Sequence, residues 1–321
     1  MHAAVVTTFD AAPRYQEFPA PVPSGGDEML VDVLAAGLHP RVRSQADGSH
    51  YTSTDELPLV PGVDGVGRGP DGLLRYFVLP DTRVGAMAEQ TVIDIRSSVV
   101  LPDSTDPVAV AAAMNPAMSS WVALRQRVRF EPGQDVLVLG ATGNAGQMAV
   151  QIAKLLGANN VIAAGRDPGR LAALPALGAT ATVLLDGDGD ATAGRLGQAA
   201  ADVDVVIDYL WGEPAAAAML AVLTSRADRS KPLTWIQIGS IAGRTAPIPS
   251  AALRAARLKI IGSGQGSVST QEYLAELPAL ADQITAGTLD IAARPVPLAE
   301  VEQAWVTAPT AQQRIVLVPQ P

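Results

Sequence analysis

DVLVLGATGNAGQMAVQIAKLLGA, residues 135–158, is the stretch that decides the fold. It opens on Val136, Leu137, Val138 and Leu139, a run with nothing polar in it, as suits a strand covered on both faces of a parallel sheet. Gly140, Gly143 and Gly146 follow at G-x-x-G-x-x-G spacing, with Thr142 and Asn144 between them. Met148, Ala149, Ile152, Ala153, Leu155 and Leu156 then recur at helical spacing, and Gly157 ends the helix. Strand, glycine turn and helix in that order make a dinucleotide pyrophosphate site. The turn must be tight, the backbone must approach the phosphates, and the helix must pack near the strand. Each demand favours a residue without Cβ. The anion then rests on unpaired N–H groups at the positive end of the helix.

The next strand, Val161–Ala164, leads to Gly165-Arg166. The NAD pattern places a carboxylate at this strand end, to bond the ribose 2′-OH. Here a cation follows the strand, and Arg170 lies one helical turn on. Two guanidiniums suit a 2′-phosphate, so NADPH is expected over NADH. Asp167 offers an alternative, since it is able to bond a 2′-OH. Asp167-Pro168 is also the pattern of a helix start, with Asp at the N-cap and Pro at N1.

Composition bounds the rest. The 321 residues suggest two domains, and 48% are hydrophobic but only 4% aromatic, so the core is expected from Ala, Val, Leu and Ile. A net charge of −9 argues against a nucleic-acid backbone or an anionic membrane as partner. No signal-peptide pattern opens the chain and no run reaches the roughly 18 apolar residues of a membrane span, so a soluble cytoplasmic protein is expected. There is no cysteine, and His2, His39 and His50 are the only histidines. Catalytic zinc takes three protein ligands, usually including His, so no metal is expected. Without a Lewis acid, hydride addition to a conjugated alkene or quinone is easier than alcohol chemistry, because the carbonyl spreads the developing charge.

Before the glycine turn the chain reads as short strands: 3–6, 29–34, 73–79, 88–93 and 97–101. A helical stretch, 106–128, follows, interrupted at Asn115-Pro116, where a fresh helix start would leave backbone groups free for a ligand. Strands at 136–139, 161–164, 181–185, 204–208, 234–238 and 258–261 alternate with helices at 145–156, 168–177, 192–200 and 214–223. That alternation describes a doubly wound parallel sheet. The acidic DGDGD at 186–190 lacks the remaining ligands of a calcium loop and reads as a surface turn. Helices at 270–286 and 298–307 and a strand at 314–318 complete the chain.

Taken together, LAAGLHP (34–40), LPLVPGVDGVG (57–67), GAMAEQTVI (85–93), the glycine turn, LKIIGSGQGS (258–267) and RIVLVP (314–319) resemble, in order and spacing, one known family. It is the zinc-independent quinone oxidoreductase and enoyl reductase branch of the medium-chain dehydrogenase/reductase superfamily. The resemblance implies a split, β-rich GroES-like catalytic domain, 1–112 and 267–321, with a Rossmann-type dinucleotide domain, 113–266, inserted in it. It also implies a cleft between the two and a homodimer joined edge to edge through the nucleotide sheets.

The resemblance further implies roles for single residues. Gly165 and Arg170 match positions that hold the 2′-phosphate, while Leu185 stands where a tyrosine often contacts the adenosine. Ser240, after the strand WIQIG, and Gly262-Ser263 match segments lining the nicotinamide side. Tyr51, with His50 as a rival, matches a tyrosine that gives a hydrogen bond or proton to the reduced product. His39, where the family often has Asn before Pro40, is offered as a donor to an enolate oxygen. Asn115 falls where a polar residue lies near the nicotinamide, and Asp64 is expected to be structural. The loop that usually carries Gly-Asp-Arg-Val is compressed here to RGPDGLLRYFVLPDTRV (68–84). The function implied is NADPH-dependent hydride transfer to a small electrophile, a quinone or an α,β-unsaturated carbonyl. The alternative is a non-catalytic NADPH-binding protein that reports redox state.

Overall fold

The fold comes from a computed structural model, which describes residues 1–187, 189–264, 266–308 and 313–320. The elements run β1 (His2–Val5), β2 (Arg14–Glu17), β3 (Glu28–Gly37), α1 (Pro40–Ala46), β4 (Asp64–Arg68), β5 (Leu74–Val78), β6 (Gln90–Asp94), β7 (Ser98–Val100) and α2 (Pro107–Val122). Then come β8 (Val136–Leu139), α3 (Asn144–Leu155), β9 (Val161–Gly165), α4 (Pro168–Ala173), β10 (Ala181–Leu184), α5 (Gly189–Ala200), β11 (Val205–Asp208), α6 (Gly212–Ser225), β12 (Leu233–Gln237), α7 (Ala252–Ala255) and β13 (Leu258–Gly262). The chain ends with α8 (Thr270–Thr285), β14 (Ala293–Pro297), α9 (Val301–Thr307) and β15 (Arg314–Val318).

Two compact units emerge, Met1–Asn115 with Leu274–Pro321, and Pro116–Tyr273. The boundaries fall inside α2 and α8, a few residues beyond the 112/113 and 266/267 divisions expected from the sequence.

The first unit holds a seven-stranded sheet in the order β14-β15-β3-β4-β5-β7, with β6 pairing on β3, and a β1–β2 hairpin. Its two chain segments are joined by the sheet itself: β15 runs antiparallel to β3, with Val316 opposite Gly37 and Leu317 opposite Ala36. The second unit is a six-stranded parallel sheet in the order β10-β9-β8-β11-β12-β13. Strand order therefore reverses between β8 and β11, which places a crevice at their carboxyl ends. All four residues of β8 are completely buried, which is why its sequence carries no polar residue. α3 covers it with Met148, Ala149, Ile152 and Ala153 and stops at Gly157, whose φ is +89°. The core is mostly aliphatic, with Trp235, Tyr76 and Phe77 among its most deeply buried aromatic side chains.

Three features differ from the sequence reading. α2 does not break at Asn115-Pro116: it runs continuously with Pro116 inside it and passes into a π-helical turn, Ala123–Arg127. From Val110 to Leu124 every residue is buried except Asn115 and Ser119. That burial outweighs the one backbone hydrogen bond lost to proline. The 21 residues Pro107–Arg127 are also long and apolar enough to cross a membrane by length and composition, a span hidden in the sequence by the supposed break; 72% of its most apolar window is buried inside the protein. The strands Arg14–Glu17 and Ala293–Pro297 and the helix Pro40–Ala46 carried no readable periodicity. In the acidic 186–190 stretch, α5 already begins at Gly189 and Asp186 pairs with Arg195 at 2.5 Å, while Asp188 lies outside the described residues.

Candidate dinucleotide site

The glycine turn sits at the carboxyl end of β8 and each glycine has its own reason. Gly140 has φ +84°, and a Cβ there would meet Leu210 and Tyr209 at 3.2 and 3.3 Å. Gly146 carries the tightest constraint: a Cβ would lie 2.2 Å from the Gly140 carbonyl oxygen, so α3 packs on the turn only through glycine. Gly143 is different, because a Cβ there would have nothing closer than 3.6 Å. That face of the turn is open.

The amide inventory separates structural from available donors. Gly140 and Ala141 N–H both donate to the Ala164 carbonyl at 2.9 Å, and Gly143 N–H closes a turn on Gly140 O at 3.2 Å. The N–H groups of Asn144, Ala145 and Gly146 open α3 and have no acceptor among the described residues. Gly143, the N-cap, contributes no side chain to satisfy them. These are the donors that a diphosphate would occupy. The residues present fit the pyrophosphate of a dinucleotide.

At the end of β9, Gly165 serves packing: a Cβ would collide with the Thr142 side chain at 2.5 Å. Arg166 is exposed. Arg170 reaches back to the glycine turn, its Nη1 donating to the Thr142 carbonyl at 3.3 Å. Asp167 is the N-cap of α4, accepting from Arg170 N–H at 3.0 Å, with Pro168 at the first helical position. The same carboxylate lies 3.4 Å from Arg170 Nε. Asp167 thus caps α4 through one carboxylate oxygen, with the other beside the Arg170 guanidinium. Ser240 is exposed in the loop after β12; Gly262 is exposed at the end of β13, with its carbonyl accepting from Arg127 Nε at 3.1 Å. Ser263 is buried, its N–H donating to Gln237 O at 2.9 Å. Every cofactor-binding residue expected from the sequence thus lies at the carboxyl end of the parallel sheet or on the first turn of a helix leaving it.

The three residues expected to act on substrate have varied surroundings. Tyr51 is 72% exposed in a turn, stacked on His50 at 4.2 Å between ring centres. His50 is fixed by Nδ1 to Thr52 Oγ1 at 2.8 Å, and that hydroxyl joins the Arg41–Asp81 ion pair. Asn115 is a half-buried residue in the interior of α2 rather than a helix cap. His39 is only 2% exposed, and its Nε2 lies 3.0 Å from Asp64 Oδ1, so that nitrogen cannot serve an enolate oxygen. Burial holds the imidazole below its ordinary pKa, opposed by the hydrogen bond and charge of Asp64. Asp64 opens β4 and also accepts from Tyr76 OH at 2.9 Å, the structural carboxylate expected of it.

Two groups escaped the sequence reading. Asp208 ends β11, fully buried, and accepts from Leu210 N–H, Trp211 N–H and the Trp235 indole N–H at 2.8, 3.0 and 2.9 Å. Burial pushes its carboxyl up, and these donors pull it back. Tyr209 hydroxyl lies 2.9 Å from Ser119 Oγ, which donates to Pro116 O at 2.8 Å. Burial raises the Tyr209 phenol to about 12. An acid at the end of an apolar strand, in VVIDYLWG (205–212), was the available signal.

Known proteins agree with this geometry. Residues 145–282 match the zinc-binding dehydrogenase family model. The chain is 30% identical to a probable NADPH-dependent quinone reductase, tdiC, of Emericella nidulans, over 99% of this chain and 100% of that one. It is 27% identical to a 2-methylene-furan-3-one reductase of Solanum lycopersicum over 48% of this chain and 43% of that one. Its fold is that of the quinone oxidoreductase from Thermus thermophilus, solved also in complex with NADPH, at a TM-score of 0.82 and 24% identity over 99% of this chain and 100% of that one. With an end-to-end relative at this identity and a dinucleotide turn built as described, the chain belongs to the medium-chain dehydrogenase/reductase superfamily, in its quinone oxidoreductase branch.

Proposed function

We propose that this protein is an NADPH-dependent reductase of quinones or electron-poor alkenes. The observation that carries the proposal is the trio of acceptor-free N–H groups on Asn144, Ala145 and Gly146, beside the open face of Gly143. When bound, NADPH supplies the hydride. The chain's own residues hold and select it: the α3 amides take the diphosphate, and Arg166 with Arg170 take the 2′-phosphate. Tyr51, exposed and held flat by its stack on His50, gives the proton that completes reduction at the α-carbon, or water does so in its place. His39 is left out of this chemistry, because its Nε2 is spent on Asp64.

The reaction runs without a metal in this proposal. The absence of cysteine and the scarcity of histidine support that, as does the lack, among the described residues, of any group of three His, Asp or Glu placed to hold an ion. The protein acts in the cytoplasm as a homodimer. Supporting the dimer, β13 is the last strand of its sheet, with an outer edge that pairs with no strand among the described residues. The end-to-end likeness to a named reductase favours an enzyme over a cofactor-reporting protein without activity.

The test is NADPH oxidation, followed by absorbance, against a broad panel of quinones and conjugated enones. Turnover of at least one class is expected. NADPH that binds and stays unoxidised across the whole panel overturns the catalytic reading.

A further inference from the structure

The turn after β11 is under strain and one residue holds it. Trp211 has φ +51° and ψ −163°, a backbone conformation that L side chains rarely adopt, and Gly212 follows at φ +67°. Asp208 collects five N–H groups there. Its side chain takes Leu210 N–H, Trp211 N–H and the Trp235 indole, and its carbonyl takes Ile238 and Gly239 N–H at 2.8 and 3.1 Å. The turns after β11 and β12 are thereby locked together. Ala242 N–H reaches Leu210 O at 2.9 Å, and a Cβ on Gly212 or Gly239 would strike the opposite turn at 2.7 Å. No cation pairs with Asp208 among the described residues.

The place of this turn gives it meaning. Asp208 stands opposite Leu139 in the sheet, directly before Gly140, at the point where strand order reverses. Tyr209 N–H donates to Leu139 O at 3.2 Å, and the side chains of Tyr209 and Leu210 abut the Gly140 backbone. We propose that Asp208 is a positioning residue for the dinucleotide: it fixes the Tyr209–Gly212 turn as the wall facing the glycine turn, and cofactor affinity depends on that wall. The proposal rests on the reading of the glycine turn as a dinucleotide site.

The donor pattern supplies the test. In Asp208→Asn the amide carbonyl still accepts from Leu210 and Trp211, but the amide NH2 faces the Trp235 indole N–H, donor against donor. Trp235→Phe removes the clash. Calorimetric titration with NADPH is run on the parent, D208N, W235F and D208N/W235F, each checked for native far-UV circular dichroism and a cooperative urea melt. D208N is expected to bind about tenfold more weakly, W235F like the parent, and the double variant within about threefold of it. Parent-like binding by D208N, or no recovery in the double variant, overturns the proposal. Should D208N fail to fold, D208N/W235F is compared with D208A/W235F, which has no acceptor for the turn. Only the latter is expected to lose affinity, and equal binding overturns the proposal. A parent that does not bind NADPH removes the dinucleotide reading itself, and this proposal with it.

Discussion

His39 Nε2 lies 3.0 Å from Asp64 Oδ1, and neither side chain is more than 2% exposed. Tyr76 donates to the other carboxylate oxygen, and Arg314, buried and lowered to about 10 by desolvation, is held up by the Asp64 charge. Asp64→Asn removes the buried anion on which these groups depend. Loss of one partner from a buried charged network costs about 3–5 kcal/mol. A urea melt of the variant is expected to show that loss.

Acid sensitivity follows from the same pair. Burial depresses the folded-state pKa of His39 below its ordinary value of about 6.5. The unfolded chain then binds a proton that the folded chain refuses, so stability is full above about pH 6.5 and drops as pH falls. His39→Asn retains a donor for Asp64 but has no proton to take up. The difference between urea melts at neutral and mildly acidic pH is expected to shrink in this variant.

The glycine turn allows two substitutions with distinguishable signatures. In Gly146→Ala the new Cβ would lie 2.2 Å from Gly140 O, and overpacking costs about 1–3 kcal/mol or more. That variant is expected to lose both stability and NADPH binding. Gly143→Ala meets nothing closer than 3.6 Å, and its φ of −79° suits alanine. Because Gly143 is the N-cap of α3, where alanine is a poorer residue than glycine, it is expected to lose no more than about 1 kcal/mol of stability, while losing affinity for NADPH because the methyl group enters the open face of the turn. Thermal melts and calorimetry separate the two.

Tyr209 gives an alkaline signature. Burial pushes its phenol up to about 12 in the folded protein, against an ordinary value of about 10. Stability linked to it is complete below about pH 10 and is lost as pH rises toward 12, because the unfolded chain releases the proton first. Ultraviolet titration is expected to show a late tyrosinate step, and Tyr209→Phe to remove it.

The parts of the molecule legible in the sequence are those where one physical demand dominates. β8 must be apolar because both its faces are covered, and Gly146 must lack a Cβ because of Gly140 O, so both left marks in the residues. The N-cap role of Asp167 was equally readable from Asp-Pro. Elsewhere tertiary contacts decided. Pro116 stays inside a helix because its surroundings bury it, and Arg14–Glu17 becomes a strand through pairing with β1. His39 looked like a loop donor until Asp64, 25 residues on, took its Nε2. Asp208 showed only as an acid ending an apolar strand; its donors come from its own turn and from Trp235, on the neighbouring strand.

Cofactor choice is the most direct measure of the site. Arg166 follows β9 and Arg170 lies on the first turn of α4, already touching the glycine turn through Thr142 O. Calorimetric titration of the parent protein with NADPH and with NADH, repeated on Arg166→Ala/Arg170→Ala, reads both the amide cradle and the arginines. Saturable NADPH binding is predicted, at least about tenfold tighter than NADH, or about 1.4 kcal/mol, with the preference lost in the double variant and NADH affinity unchanged. Absence of saturable binding by either dinucleotide would contradict the cradle formed by Asn144, Ala145 and Gly146.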